Sequence, residues 1–241
     1  MKIRLPLSFL RVVILGIGWA WTALAFPAPF EDTMAQRMAA CTACHGPQGR
    51  AAPDGYYPRL AGKPAGYLYN QLLNFRDGQR HYRLMSQMVD PLSEAYLLEI
   101  AEHFAAMDVP YPAPAPLQAT AEQRQRGERL ALHGDPARNL PSCASCHGAA
   151  LTGVLPATPG LLGLPRDYLN AQLGAWRTGL RKAHAPDCMA EVARRLAPED
   201  IAAVSAWLAS QAIPAQAHAV KAAAMPLPMR CGSAEPPRTT P

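Results

Sequence analysis

Charge is sparse in this sequence and nowhere concentrated. Charged residues make up 17% of the chain and aromatics 7%. No run of lysine or arginine occurs, and no basic patch is interleaved with aromatic side chains. A nucleic-acid-binding face needs clustered positive charge, so no nucleic acid is expected as a partner. The formal net charge of +5 does not change this. Lys2, Arg4 and Arg11 sit in a leader with no acid, and taking those three from 23 basic residues leaves 20 against 18 acidic ones.

A long unbroken apolar run is missing as well. The uncharged stretch from Val12 to Phe30 is nearly long enough to span a bilayer, but Pro27 and Pro29 interrupt its end. Residues 1–25 combine a basic start, an apolar run from Val12 to Ala20 and the small-x-small site Ala23-Leu24-Ala25. That is the pattern of a secretory signal peptide, cleaved after Ala25. The alternative is a retained anchor, and membrane contact is expected only in that case.

What the chain does have is one short motif written twice. Cys41-Thr42-Ala43-Cys44-His45-Gly46 returns as Cys143-Ala144-Ser145-Cys146-His147-Gly148. Cys-x-x-Cys-His reads as a c-type haem attachment site. Two thiols at this spacing can each form a thioether to one porphyrin vinyl group, and the next residue points its imidazole at the iron. Cys41, Cys44, Cys143 and Cys146 are therefore expected to carry two covalently attached haem c groups, with His45 and His147 as iron ligands. A bare Cys-x-x-Cys is also compatible with a thioredoxin-like pair or half a zinc site. The zinc reading leaves both histidines unexplained. Covalent haem is attached outside the bacterial cytoplasm, so motif and leader agree on a periplasmic protein.

The 241 residues allow one large domain or two small ones, and haem motifs about a hundred residues apart favour two. Residues 26–109 form the first unit. Residues 110–116 alternate with proline and should make an extended, semi-rigid linker. Residues 117–213 form the second unit, and 214–241 an Ala/Pro-rich tail expected to be disordered. In the first unit a short helix, Met34 to Ala40, leads into the motif, and a Gly/Pro-rich loop runs to Gly62. Tyr67, Leu68, Gln71, Leu72 and Phe75 recur at helical spacing, with Gly78 as the C-terminal cap. The loop Gln79 to Pro91 carries Met85 and Met88. A last helix starts near Ser93, a good N-cap, with Leu97, Ile100 and Phe104 on one face.

The second unit repeats this order, beginning with a helix over Gln123 to Leu132. Pro159, Gly163, Tyr168, Gln172, Leu173, Trp176, Arg177, Gly179 and Arg181 match first-unit residues at a constant offset of 101. After a small insertion, Met189, Leu196, Ile201, Val204 and Leu208 match at 104. Pro198 sits at a helix start, where its missing N–H costs little. The repeat also chooses the sixth iron ligand. A thioether there raises the potential. Met85 recurs as Met189, whereas Met88 pairs with Val192, so Met85 and Met189 are the expected axial pair. His81 is a rival ligand, and a loop methionine can simply fill a core gap. His103 reads as an ordinary histidine.

Three features stay open. Arg76 with Arg177, and Arg80 with Arg181, suit haem propionates or are solvated helix-end charge. Tyr67 and Tyr168 line a haem pocket or pack on a helix face. Cys188 and Cys231 either pair and pin the tail or are unrelated thiols. Because Cys188 precedes Met189, its thiolate could also replace the thioether on the second iron.

Taken together, these stretches resemble the c4-type dihaem cytochromes c, from about Ala35 to Ile213. The resemblance rests on the two haem motifs, Pro58-Arg59-Leu60-Ala61-Gly62, Asn74-Phe75-Arg76-Asp77-Gly78-Gln79-Arg80, Met85-Ser86-Gln87-Met88 with Pro91-Leu92-Ser93, and their second-half partners. It implies an all-α fold of two tandem class I cytochrome c domains, their haem edges facing across a pseudo-two-fold axis. It implies His/Met ligation of both irons, with Pro58 and Pro159 supplying carbonyls that orient His45 and His147. The function it implies is a periplasmic shuttle that is not an enzyme. Single electrons would pass from a donor of the quinol–cytochrome c oxidoreductase type to a terminal oxidase or reductase. The alternative is a cytochrome subunit or dihaem enzyme of sulfur-compound oxidation, with Cys188 near or on the second iron. The chain departs from the family pattern in its short first helix, in lacking a first-unit counterpart of Gly127, and in Cys188 and the long tail.

Overall fold

The computed structural model describes residues 32–51, 56–114, 116, 119–221 and 226–234. The leader, residues 1–25, lies outside them. No helix among the described residues is long and apolar enough to cross a membrane.

Among the described residues the fold is all-α apart from one small hairpin. The first half carries α1 (Met34–Arg37), α2 (Ala39–His45), α3 (Ala65–Arg76), α4 (Arg83–Val89) and α5 (Glu94–Ala105). The second carries α6 (Ala121–Leu132), α7 (Ala144–His147), α8 (Arg166–Arg177), α9 (Cys188–Arg195) and α10 (Pro198–Ala209). Strands β1 (Gly153–Val154) and β2 (Thr158–Pro159) pair antiparallel between α7 and α8, with Gly153 opposite Pro159. The order motif helix, long helix, short helix, last helix is the same in both halves, as the repeat requires.

Each half closes around its last helix. In the first, α5 packs on α3 and buries Leu97, Ile100 and Phe104. Ser93 caps α5 by accepting from the Tyr96 amide at 3.2 Å. In the second, α10 lies against α6 and α8. Val204, Trp207 and Leu208 of α10 meet Ala131 of α6 and Leu169 of α8 in one buried cluster. Burying side chains of this size stabilises by about 1.5–3 kcal/mol each. Helix α6 comes this close because residue 127 is glycine. A Cβ there would clash with the Ala203 carbonyl and stand 2.8 Å from the Trp207 Cβ.

Asp200, 0% exposed, locks the same corner. Its Oδ2 accepts from the Ala197 amide at 2.9 Å and from Arg138 at 2.6 Å, and its Oδ1 accepts from Arg126 at 2.6 Å. One carboxylate thus joins α6, the turn Pro136–Arg138 and the start of α10. Burial pushes this carboxyl up, but the bonds from Arg138, the Ala197 amide and Arg126 outweigh it and hold it below the usual Asp range.

Two expectations are corrected. The stretch Gln79 to Pro91 is not all loop, because Met85 and Met88 lie on α4, one face of which meets α3. The tail is not disordered over 226–234. Cys231 is joined to Cys188, and Val220, nearer the chain's core, pairs alongside Val154 of β1. Covalent attachment and backbone pairing supply the order that the tail's composition does not.

Two outcomes follow for stability. Gly127→Ala should force α6 off α10 and cost about 1–3 kcal/mol, read as a lower Tm of the haem-loaded protein. Asp200→Asn should cost about 1–3 kcal/mol at neutral pH, read by urea unfolding. Because the folded value is depressed, the contribution of Asp200 is complete above its unfolded value of about 3.9. It is lost as pH falls through the folded value. The variant should therefore show a shallower acid-side decline than the wild type.

Candidate cofactor site

Each attachment motif sits at the end of a short helix whose last residue is the histidine. Cys41 and Cys44 lie on α2, which ends at His45. Cys146 lies on α7, which ends at His147, and Cys143 is its N-cap residue. The glycine after each histidine has positive φ, 74° at Gly46 and 86° at Gly148. That conformation turns the chain away and leaves the ring buried.

Both rings are held the same way. His45 Nδ1 is 2.8 Å from the Pro58 carbonyl and His147 Nδ1 is 2.7 Å from the Pro159 carbonyl. A carbonyl only accepts, so Nδ1 carries the proton and Nε2 keeps its lone pair. Burial pulls both imidazoles below their usual pKa, partly opposed by these bonds. Arg80 lowers His45 further, and Lys63 lowers His147 further. Two neutral imidazoles with free Nε2 atoms are what an iron needs from its axial base.

The thiols behave differently from a redox pair. Burial pushes Cys143 up to about 12 and raises Cys41 and Cys146. A disulfide oxidoreductase needs the opposite shift. Nor are the four thiols gathered for zinc: among the described residues no group of three or more His, Cys, Asp or Glu could hold a metal ion.

Both motifs open onto one largely apolar cavity of about 890 Å³. Its walls include Cys41, Cys44, His45 and Met85 from the first half, and Cys143, Cys146, His147 and Met189 from the second. Thiols, neutral imidazoles and thioethers around an apolar space are a donor set that fits haem c. Met88 and Val192 also line the cavity, as does His81. Lining does not separate Met85 from its rivals; the repeat does.

Where the halves meet, four polar side chains make a closed ring. Arg80 donates to Gln71 at 3.2 Å and Gln172 at 2.9 Å, and Arg181 donates to Gln172 at 2.6 Å and Gln71 at 2.7 Å. Arg80 also reaches the Tyr168 hydroxyl at 3.1 Å. Each guanidinium lies over an aromatic of its own half, Arg80 on Phe75 at 4.6 Å and Arg181 on Trp176 at 3.7 Å. Arg181 is 3% exposed, and burial, then Arg80, lower its pKa. Among the described residues neither arginine has a carboxylate partner. Arg76 and Arg177 differ: Arg76 pairs with Asp77 and Glu94, and Arg177 bonds the Leu196 carbonyl. Tyr67 and Tyr168 both line the cavity.

One residue of the site lies outside the sequence reading, and one open alternative is settled. Lys63, 4% exposed, donates to the Gly160 carbonyl at 2.9 Å across the two halves. Burial and Arg59 pull its ammonium down to about 7. The available signal was a break in the repeat, since the position 101 residues on is Leu164. Of the two readings of Cys188 and Cys231, the structure has the pair: Cys231 is bonded to Cys188, which leaves no free Cys188 thiolate for an iron.

Comparison with known proteins gives the family. The Cytochrome c family profile matches residues 125–212. A thiosulfate dehydrogenase electron acceptor from Thiomonas intermedia is 40% identical over 84% of this chain and 90% of its own length. A cytochrome c4 from Thiocapsa roseopersicina is 34% identical over 70% of this chain and 85% of its own. Among solved structures, cytochrome c4 from Pseudomonas stutzeri has a TM-score of 0.64 and 30% identity, covering 76% of this chain and 99% of that one. A thiosulfate dehydrogenase from Marichromatium purpuratum also scores 0.64 at 34% identity, over 71% of this chain but 36% of that longer one. Sequence, fold and site agree: the chain belongs to the c4-type dihaem cytochromes c, electron-transfer proteins with covalently bound haem c.

Proposed function

We propose that this chain is a periplasmic carrier of single electrons holding two haem c groups. One is bound through Cys41, Cys44 and His45, the other through Cys143, Cys146 and His147. Met85 and Met189 take the sixth iron positions. The observation that carries this is the shared apolar cavity, lined by both attachment motifs and both methionines. Bound haem supplies a one-electron couple at its iron; the rest is the work of the chain. Pro58 and Pro159 fix the imidazole tautomer and aim Nε2 into the cavity. The apolar walls exclude water and favour the less charged oxidation state. The thioethers shift the couple the same way. Arg181, buried, and Arg80, half-buried, have no acidic partner among the described residues and would give propionate carboxylates a bidentate landing. A histidine and a methionine from the protein for each haem would leave no iron position for a substrate, which supports a carrier rather than an enzyme.

For the donor, the relatives named as electron acceptors of thiosulfate dehydrogenase, 40% and 38% identical, favour an enzyme that oxidises thiosulfate. A donor of the quinol-oxidising type with a terminal oxidase as acceptor is the second reading, carried by the cytochrome c4 relatives. A Cys188 thiolate on the second iron does not fit, because that sulfur is in a disulfide.

Met85→Ala and Met189→Ala should each lower one midpoint potential, by on the order of 0.1 V within the ~0.8 V range axial ligands span. Each should also remove one of two Met–iron(III) charge-transfer contributions. If neither variant lowers a potential in a redox titration, the ligand assignment is wrong. In stopped flow, thiosulfate should reduce the protein only when a thiosulfate dehydrogenase is present. Reduction by a quinol-oxidising complex but not by the dehydrogenase would establish the second donor reading instead.

A further inference from the structure

We propose that the Cys188–Cys231 disulfide is a positioning device for Met189. The C-terminal tail acts as a strap that holds the second thioether in place, the task Ser86 performs in the first half. The inference rests on the reading of Met85 and Met189 as iron ligands.

The two methionine helices are equivalent by repeat but are not anchored alike. In α4, Ser86, the neighbour of Met85, donates its hydroxyl to the Phe75 carbonyl at 2.9 Å. That bond ties the short methionine helix to the long helix α3. At the 104 offset, the residue equivalent to Ser86 is Ala190, which has no hydroxyl to give. The approach to the helix is also longer. Four residues separate Arg80 from Met85, and seven separate Arg181 from Met189. A longer loop restrains its end less. Asp187 braces this loop by accepting from the Ala183 and Ala190 amides at 2.8 and 3.0 Å, but those bonds stay within the loop and α9. They tie α9 to no other helix.

The far end of α9 is tied by Arg177 of α8 and by Arg138, which donate to the Leu196 and Arg195 carbonyls at 2.7 and 3.4 Å; the tail supplies the tie at the Met189 end. Cys231 is bonded to Cys188, the first residue of α9 and the neighbour of Met189. Gly232 donates its amide to the Pro186 carbonyl at 3.0 Å. It lies so close to the inserted loop that a Cβ would stand 2.8 Å from the His184 carbonyl. One residue on, the Ser233 carbonyl accepts from Asn70 of α3 at 3.4 Å. Farther back, Val220 exchanges backbone bonds with the β1 region, donating to Gly153 at 3.0 Å and accepting from Leu155 at 2.8 Å. Leu227, Met229 and Cys231 line the same cavity as Met189. Insertion, cystine and tail all occur in the second half, where the serine anchor is missing.

The test uses the haem-loaded full chain. Cys188→Ser with Cys231→Ser removes the strap and leaves no thiolate to compete for iron. The expected result is loss of one of the two Met–iron(III) charge-transfer contributions. The ferrous form should then bind one carbon monoxide per chain where the wild type binds none, and one midpoint should fall while the other holds. Adding Ala190→Ser to that variant transplants the first-half anchor and should restore the band; no restoration would overturn the equivalence with Ser86. Met189→Ala runs alongside. If Met189→Ala leaves the band whole, the ligand reading fails. If Met189→Ala removes its share but the strapless protein keeps both bands and binds no carbon monoxide, the strap inference is overturned. Should the double variant not fold, wild-type protein reduced with a phosphine and alkylated with iodoacetamide gives the same readouts.

Discussion

Each histidine ring gives its Nδ1 proton to a proline carbonyl, His45 to Pro58 and His147 to Pro159. The other functional features of the fold presuppose that bond. It fixes which nitrogen is bare, sets the plane of the ring and partly offsets the cost of burying it. Without it a buried imidazole would carry an unsatisfied donor and be free to choose the wrong tautomer. The loop that delivers the carbonyl is anchored in turn. Leu60 and Ala61 donate to the Gly49 carbonyl, and Leu161 donates to Leu151. The histidine, its glycine and the proline loop are thus one unit, made once in each half.

The halves are held against each other by polar contacts more specific than the apolar packing around them. Two guanidiniums and two glutamine oxygens bond in both directions across the pseudo-symmetry, and the Lys182 amide adds a backbone bond to Gln79 at 2.7 Å. Bringing two cations this close inside a protein costs desolvation and mutual repulsion. The aromatic faces of Phe75 and Trp176 offset part of it. The remainder is a standing demand for negative charge on the cavity wall that Arg80 and Arg181 line. Lys63 breaks the symmetry, since it donates to the Gly160 carbonyl in the second proline loop and its counterpart 101 residues on is Leu164.

Much of this was legible in the residues. Ser93 announced α5, Pro198 sits at the first position of α10, and Gly78 adopts φ of 69° where a cap was expected. The internal repeat marked Tyr168, Gln172 and Arg181 as counterparts of Tyr67, Gln71 and Arg80, though not that the glutamines and arginines bond across the halves. What was not legible depends on through-space pairing. The helix over Arg83–Val89 is too short for its periodicity to rise above the surrounding loop residues, and it is held by contact with α3. The different partners of Arg76, which pairs with Asp77 and Glu94, and Arg80, which bonds Gln71, Gln172 and Tyr168, needed the fold, since the two look alike in a string of letters. Disulfide connectivity likewise does not follow from spacing. The tail read as disordered because composition reports what a segment buries on its own, not what a covalent bond holds it against.

The central claim is that one chain holds two porphyrins, each covalently attached at its own Cys-x-x-Cys-His motif and each closed on both axial sides by protein. Intact mass of the exported protein, followed by mass mapping of its haem peptides, tests it most directly. The account predicts a mass increase of two haem groups, one on the peptide containing Cys41 and Cys44 and one on the peptide containing Cys143 and Cys146. A single haem per chain, or either cysteine pair recovered as free thiols or a disulfide, would contradict it.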